Sequence, residues 1–252
     1  MQYEEFLEFV RSRRTIRKIK PDPLHGDVVA KLLEAARWAP TGFNMQPAEL
    51  VVVGDVGLRT RIMEIMDDWV ENEFFALEAT REAWQGAPWT AETHKRPDCP
   101  PAPVYILITG DTRRLAGLPM NARHEKHKAD SIFESSLSNV FVCLWLAAHS
   151  LGLAAQPVSF VKNGYVQGLV KHLLNLPDFL YVFEMLAVGY SAAEDGPPAK
   201  LTRHLDSMVH RDRAQDDEFM SDEDVRREIR KLRAGTVARH MGTGGLHDSE
   251  RV

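Results

Sequence analysis

Cysteine is scarce in this sequence: two residues, Cys99 and Cys143, among 252. Two cysteines so placed form neither the disulfide framework of a secreted scaffold nor a metal-binding pair. A basic excess is also missing. Lys and Arg number 31 against 36 Asp and Glu, a net charge of −5, which gives no electrostatic case for nucleic acid or an anionic membrane. Long apolar runs are absent too. The longest strongly apolar one, Val140 to Ala148, is too short to span a bilayer. The opening residues MQYEEFLEFV are acidic where a secretory leader is basic. His124-Glu125-Lys126-His127 lacks the four-residue histidine spacing of a helical zinc site and reads as a solvated cluster at a helix start. No internal repeat and no linker rich enough to separate two domains occurs. These absences predict a soluble protein of a reducing, cytoplasmic compartment, with no membrane, nucleic-acid or metal partner.

What is present is ordinary globular composition, 44% hydrophobic and 27% charged, enough for a sizeable core. Apolar periodicity predicts helices over 2–12, 27–38, 58–85, 131–150, 165–176 and 221–233. In the second of these Val28, Val29, Leu32, Leu33 and Ala36 face inward. Short β-branched or continuously apolar runs predict strands over 50–54, 104–109, 154–158 and 182–190. The 131–150 helix is apolar on nearly every side, so it belongs deep in a core or in a subunit interface. Residues 86–103 hold Pro88, Trp89, His94 and four further prolines, and 111–129 are polar; both read as irregular. The glycine-rich end, 242–252, reads as disordered.

Two polar segments stand out. Arg13-Arg14-Thr15-Ile16-Arg17 puts three guanidinium groups and a hydroxyl within five residues, which suits a phosphate, since guanidinium forks take its oxygens two at a time. A solvated basic face uses the same residues. Residues 39–47, between a helix and a strand, hold Pro40, Thr41, Gly42, Asn44, Gln46 and Pro47. The prolines stop a helix, and Gly42 permits positive φ and close backbone approach. A plain connector uses such residues merely to turn; this loop has more amides than a turn requires, which leaves a polar wall of a binding site as the other reading.

The order RRTIR, Pro-x-Pro, AARWAP, TGFNMQP and then a strand resembles the nitroreductase family of FMN-dependent oxidoreductases. Thr15 and Thr41 keep hydroxyls where the family has serine, Ala48 replaces a common aromatic residue, and Ala154 replaces a common glycine after Leu151-Gly152-Leu153. The resemblance spans roughly residues 5–210. It implies an α+β fold: a mixed or antiparallel central sheet flanked by helices, in an intertwined homodimer. A nitroreductase-like domain would cover 1–210, with a lid-like insertion near 58–103, and 211–252 would form a helical extension and tail.

The resemblance also implies FMN as cofactor. Arg13, Arg14, Thr15 and Arg17 would hold its phosphate and the polar edge of its ring. Pro40, Thr41 and Asn44 would come from the second subunit, closing the site across the interface. Gln156, Pro157 and Val158 would lie along the ring, and Arg203, or Lys200 beside it, would reach the phosphate. NADH or NADPH would donate hydride, and a small-molecule acceptor such as a nitroaromatic or quinone would take its place in a ping-pong cycle. Since the flavin carries the chemistry, no catalytic side chain and no metal is expected. Three alternatives stay open at this point: a family member that fragments reduced FMN with oxygen, a protein that sequesters or senses flavin, and a helical-core interaction protein with no flavin.

Overall fold

The structure is a computed structural model that describes residues 2–74, 99–193, 202–215, 218–229 and 231. It divides into two compact units, Met1–Trp69 with Asp98–Pro197, and Val70–Pro97 with Pro198–Val252.

The first unit is built on a four-stranded sheet: β1 (Ala48–Val53), β2 (Val104–Asp111), β3 (Ala154–Pro157) and β4 (Leu180–Gly189), in the order β1-β2-β4-β3. All three pairings are antiparallel. The two central strands are buried along nearly their whole length, as continuous apolar runs require. The β2–β4 register slips between Ile108 and Thr109, where one extra residue on β4 forms a bulge.

Helices cover the sheet: α1 (Tyr3–Ser12), α2 (Gly26–Arg37), α3 (Val56–Trp69), the single turn α4 (Met120–Arg123), α5 (Lys126–Ser150) and α6 (Gly164–Leu173). Leu32 and Ala36 of α2 pack with Phe133, Leu137, Val140 and Leu144 of α5 against Ile106, Ile108, Leu186 and Val188. Val28, Val29 and Leu33 flank that cluster, partly buried. Trp69 at the end of α3 is buried and stacks on Phe160 at 5.5 Å, so its ring is a packing group.

One feature of α5 differs from the sequence reading, and a second narrows it. It starts at Lys126, inside the stretch that reads as irregular, because its first turn is polar and carries no apolar stripe. An ion pair from Lys126 to Asp130 spans that turn. It is also buried on one face only. Ala129, Phe133, Leu137, Val140, Leu144 and Ala148 are inside, spaced three and four apart. Val142 is 44% exposed, and Phe141, Trp145 and Leu146 are half-buried. By length and composition the helix could cross a membrane; here it lies against the sheet. It ends in a Schellman motif: Gly152, at φ +68, donates to His149 O, and Leu153 donates to Ala148 O.

Helix α1 has no buried residue, and Tyr3, Phe6 and Val10 are exposed. Leu7 and Phe9 are half-buried, so among the described residues its apolar stripe is covered only in part.

In the second unit, described in part, a single turn Leu205–Ser207 and a helix over 222–229 are ordered elements. The expected helix at 221–233 is described as far as 231. Trp84, Trp89 and His94 of the expected lid, Lys200 and the 242–252 tail lie outside the described residues.

Candidate functional site

The basic segment leaves α1 and runs along the outer side of β3. Ile16 N donates to Ala155 O, and further on Lys20 N donates to Tyr190 O and Ala192 N to Lys18 O. Ile19 bridges Ser191. The close approach needs Gly189, where a Cβ would come within 2.5 Å of Ile19 Cγ2. Pairing at the sheet edge is what keeps this segment alongside the strands. The Ile16–Ala155 bond sets Arg13, Arg14, Thr15 and Arg17 on the segment that flanks β3, the strand that carries Gln156 and Pro157. All four are half-buried, and Gln156 and Val158 are buried.

Arg13 is the residue most shaped by its surroundings. Its guanidinium carbon lies 3.8 Å from the centre of the Trp145 ring on α5, a cation–π contact. Burial, with Arg14 adding repulsion, draws its pKa down; an arginine remains charged nonetheless. Arg13 Nη1 and Trp145 Nε1 are buried with no hydrogen-bond partner among the described residues. A buried donor left unsatisfied costs about 1–3 kcal/mol, so this corner is suited to an acceptor brought in from outside the chain. Arg14 Nη1 donates to Arg11 O at 3.1 Å.

His149 completes the corner. Its ring lies 4.9 Å from Phe9, and its Nε2 is 2.9 Å from Ser12 Oγ. Ser12 Oγ in turn donates to Phe9 O. Burial foremost, and Arg13 nearby, lower the pKa of His149 against the opposing pull of Phe9 O.

The second segment, 39–47, docks on the other half of α5. Gly42 N donates to Ser136 Oγ at 3.0 Å, and Asn139 Nδ2 donates to Pro40 O at 2.9 Å. Thr41 Oγ1 accepts from Gln46 N, and Gln46 Nε2 donates to Asn44 Oδ1. Phe43, Asn44 and Gln46 have φ of 52, 51 and 45°, a conformation that L-residues rarely adopt. Close approach is what requires glycine at position 42: a Cβ there would meet Ile132 Cγ2 at 2.5 Å. Positive φ, the other use open to Gly42, falls on its three neighbours instead. Beside the loop a cavity of about 370 Å³ is lined by Leu33, Ala36, Leu50 and Val140, with Thr41, Arg37 and Arg114.

One chain does not bring these two segments together. Trp145, which holds Arg13, lies nine residues along α5 from Ser136, which holds Gly42. At 1.5 Å per residue that is about 14 Å. Arg203 belongs to the second unit, where its Nη2 donates to Ser207 O at 2.7 Å and its Nε lies 3.4 Å from Glu228.

One buried carboxylate escapes the sequence reading. Glu184, 5% exposed, sits in the apolar strand β4. The signal for it is a lone charge in LYVFEMLAVG. Ser159 Oγ donates to its Oε2 at 3.0 Å, and Lys162 Nζ is 3.9 Å from the same oxygen. Burial raises its pKa, against the opposing pull of Ser159 and Lys162. Among the described residues no cluster of His, Cys, Asp and Glu could hold a metal.

The fold and site define an α+β protein with a guanidinium cradle at one sheet edge and a strained amide loop at the far half of its longest helix. The chain belongs to the nitroreductase family, whose model matches residues 10–190. It is 26% identical over 215 residues to iodotyrosine deiodinase 1 of Rattus norvegicus, covering 83% of this chain and 70% of that protein. It is 24% identical over 219 residues to FMN reductase [NAD(P)H] of Bacillus subtilis, covering 82% and 76%. The NADPH:FMN oxidoreductase of Vibrio harveyi, solved as a complex with NAD+, superposes with a TM-score of 0.64 at 17% identity, over 95% of this chain and 92% of that one; this likeness is one of fold.

Proposed function

We propose that this protein is an FMN-dependent oxidoreductase that takes reducing equivalents from NADH or NADPH and delivers them to a small organic acceptor, such as a nitroaromatic or a quinone, in a ping-pong cycle. The observation that carries the reading is Arg13: a half-buried guanidinium with a buried N–H that has no acceptor among the described residues, beside three further phosphate-competent side chains. A phosphorylated, carbonyl-edged ligand fits that set. When bound, FMN supplies two-electron transfer between donor and acceptor.

Within this reading Arg13, Arg14, Thr15 and Arg17 bind the phosphate and the electron-rich edge of the ring, and offer positive charge where reduction leaves negative charge. Gln156, Pro157 and Val158 line the ring. Arg203 is the further phosphate contact of this reading. Pro40, Thr41 and Asn44 complete the site from a second copy of the chain. Two features support a homodimer: the separation of the two segments along α5, and the apolar side chains that α1 and α5 leave exposed, Phe6, Val10 and Val142 among them. The same reading takes residues 1–210 as the flavin domain, with a lid near 58–103, and 211–252 as an appended extension. Its setting is the cytoplasm.

A second acceptor class has specific support. Several of the curated relatives are named iodotyrosine deiodinase, so a halogenated aromatic acceptor is the rival to a nitroaromatic or quinone one. The test is anaerobic. The purified protein should show a flavin band that bleaches on adding NADH or NADPH and returns with the acceptor. A flavin band that no nicotinamide bleaches would contradict the reductase reading and favour flavin sequestration, or reduction by a separate protein.

A further inference from the structure

Strand β3 is four residues long and pairs along one side with β4. It ends at Pro157, which has no N–H to extend the ladder. The chain stays attached for one more step, Val158 N donating to Met185 O at 2.8 Å. It then leaves the sheet in a single 3-10 turn, Ser159–Lys162. At the place where the ladder would next pair with Glu184, a side chain takes over: Ser159 Oγ donates to Glu184 Oε2. Met185 N points at the other oxygen, 3.3 Å away. Lys162, at the end of the turn, lies 3.9 Å from Glu184 and 3.9 Å from the centre of the Phe183 ring.

A carboxylate in an apolar strand is costly to bury, and a leucine would fill the same space without that cost. The contacts give a reason to keep it. Glu184 grips both ends of the turn, Ser159 at its start and Lys162 at its finish, immediately after the segment assigned above to the flavin ring. Backbone held in one place before the ligand arrives binds it with less loss of freedom.

We propose that Glu184 is a positioning residue: through Ser159 and Lys162 it fixes the turn that follows Gln156–Pro157–Val158, and so holds that backbone ready for the ring. The inference rests on the functional reading above. It gives Glu184 no contact with the flavin or the substrate.

The test combines amide hydrogen exchange on the flavin-free full-length protein with FMN titration, in wild type, Ser159→Ala, Glu184→Ala and Glu184→Gln. Ser159 is exposed, so its alanine variant keeps the core intact even where Glu184→Ala fails to fold. Exchange at Val158 and Val161 should quicken about tenfold in the alanine variants, while Ile106 and Leu107 in β2 stay unchanged, and FMN Kd should rise about tenfold, the scale of one lost charge-assisted hydrogen bond. Glu184→Gln keeps an oxygen that accepts from Ser159 and should stay within about threefold of wild type on both readouts. Unchanged exchange in Ser159→Ala would overturn the proposal. Faster exchange with unchanged FMN affinity would overturn it too, because the turn would then be structural and nothing more. Wild type that binds no FMN would refute the functional reading itself, and the exchange rates, which need no flavin, tell that failure from a failure of the tie.

Discussion

At the C-terminal half of α5, Arg13 lies on Trp145 and His149 reaches Ser12, so that corner is made by side chains. At the other half, around Ser136 and Asn139, the loop 39–47 is made by backbone. Three residues there are held at positive φ, and a glycine is pressed against Ile132. The first corner carries charge and a donor without an acceptor. The second carries no net charge, bonds to Ser136, Asn139 and itself within the chain, and stores strain on the order of 1–3 kcal/mol per unusual residue. The difference teaches how each half should fail. Changes in the first should lose ligand and keep the fold. Changes in the second should cost fold stability first.

The largest expected effect tests the charged corner. Arg13→Ala combined with Arg17→Ala removes two of the proposed phosphate contacts, at about 1.5–3 kcal/mol each, so FMN affinity should drop more than about 100-fold with thermal unfolding nearly unchanged. Fluorescence titration reads the first and calorimetry the second. Retention of FMN by the double variant would break the contrast at its stronger end.

Gly42→Ala comes next and probes the strained loop. The added methyl has nowhere to go without moving Ile132, a cost of about 1–3 kcal/mol for overpacking. Tm should fall, and Ile132→Ala in the same chain should recover part of the loss. A silent Gly42→Ala would mean that the loop is not set by close packing. Ser136→Ala should cost about 1 kcal/mol, since Gly42 N then loses its acceptor; denaturant unfolding at fixed pH reads it.

The smallest effect is a pH trend. Burial raises the Glu184 pKa above its ordinary 4.5. With the folded value the higher one, the group's contribution to stability is complete below the unfolded value and is lost as pH rises through the folded one. Glu184→Gln should therefore gain Tm relative to wild type as pH climbs from about 4 to 7. A constant Tm difference across that range would mean that the carboxyl is not perturbed.

Much of the fold was legible because its signals are local. The β-branched run before Gly54, the continuous apolar run at 104–109 and the glycine after α5 each state their element without help from the rest of the chain. The polar first turn of α5 was not legible, since an ion pair rather than an apolar stripe supports it. Nor was its half-open burial, because an apolar face looks the same in sequence whether its own chain or another covers it. Of the site, the residue types at 13–17 suggested an anion, and the resemblance turned the anion into FMN. The contact between Arg13 and Trp145 crosses more than a hundred residues, and no spacing rule reaches that far. Glu184 was visible as a lone charge in an apolar strand, but its meaning depends on Ser159 and Lys162, which only the β3–β4 register brings to it.

The central claim is that the two half-sites on α5 meet across two copies of the chain and hold FMN there. Sedimentation velocity of the purified protein, followed in both the protein and the flavin absorbance bands, tests it most directly. The account predicts that the flavin moves with a dimer, one FMN per chain, and that diluting the dimer apart releases it. Flavin travelling with a monomer, or a dimer that carries none after incubation with FMN, would contradict it.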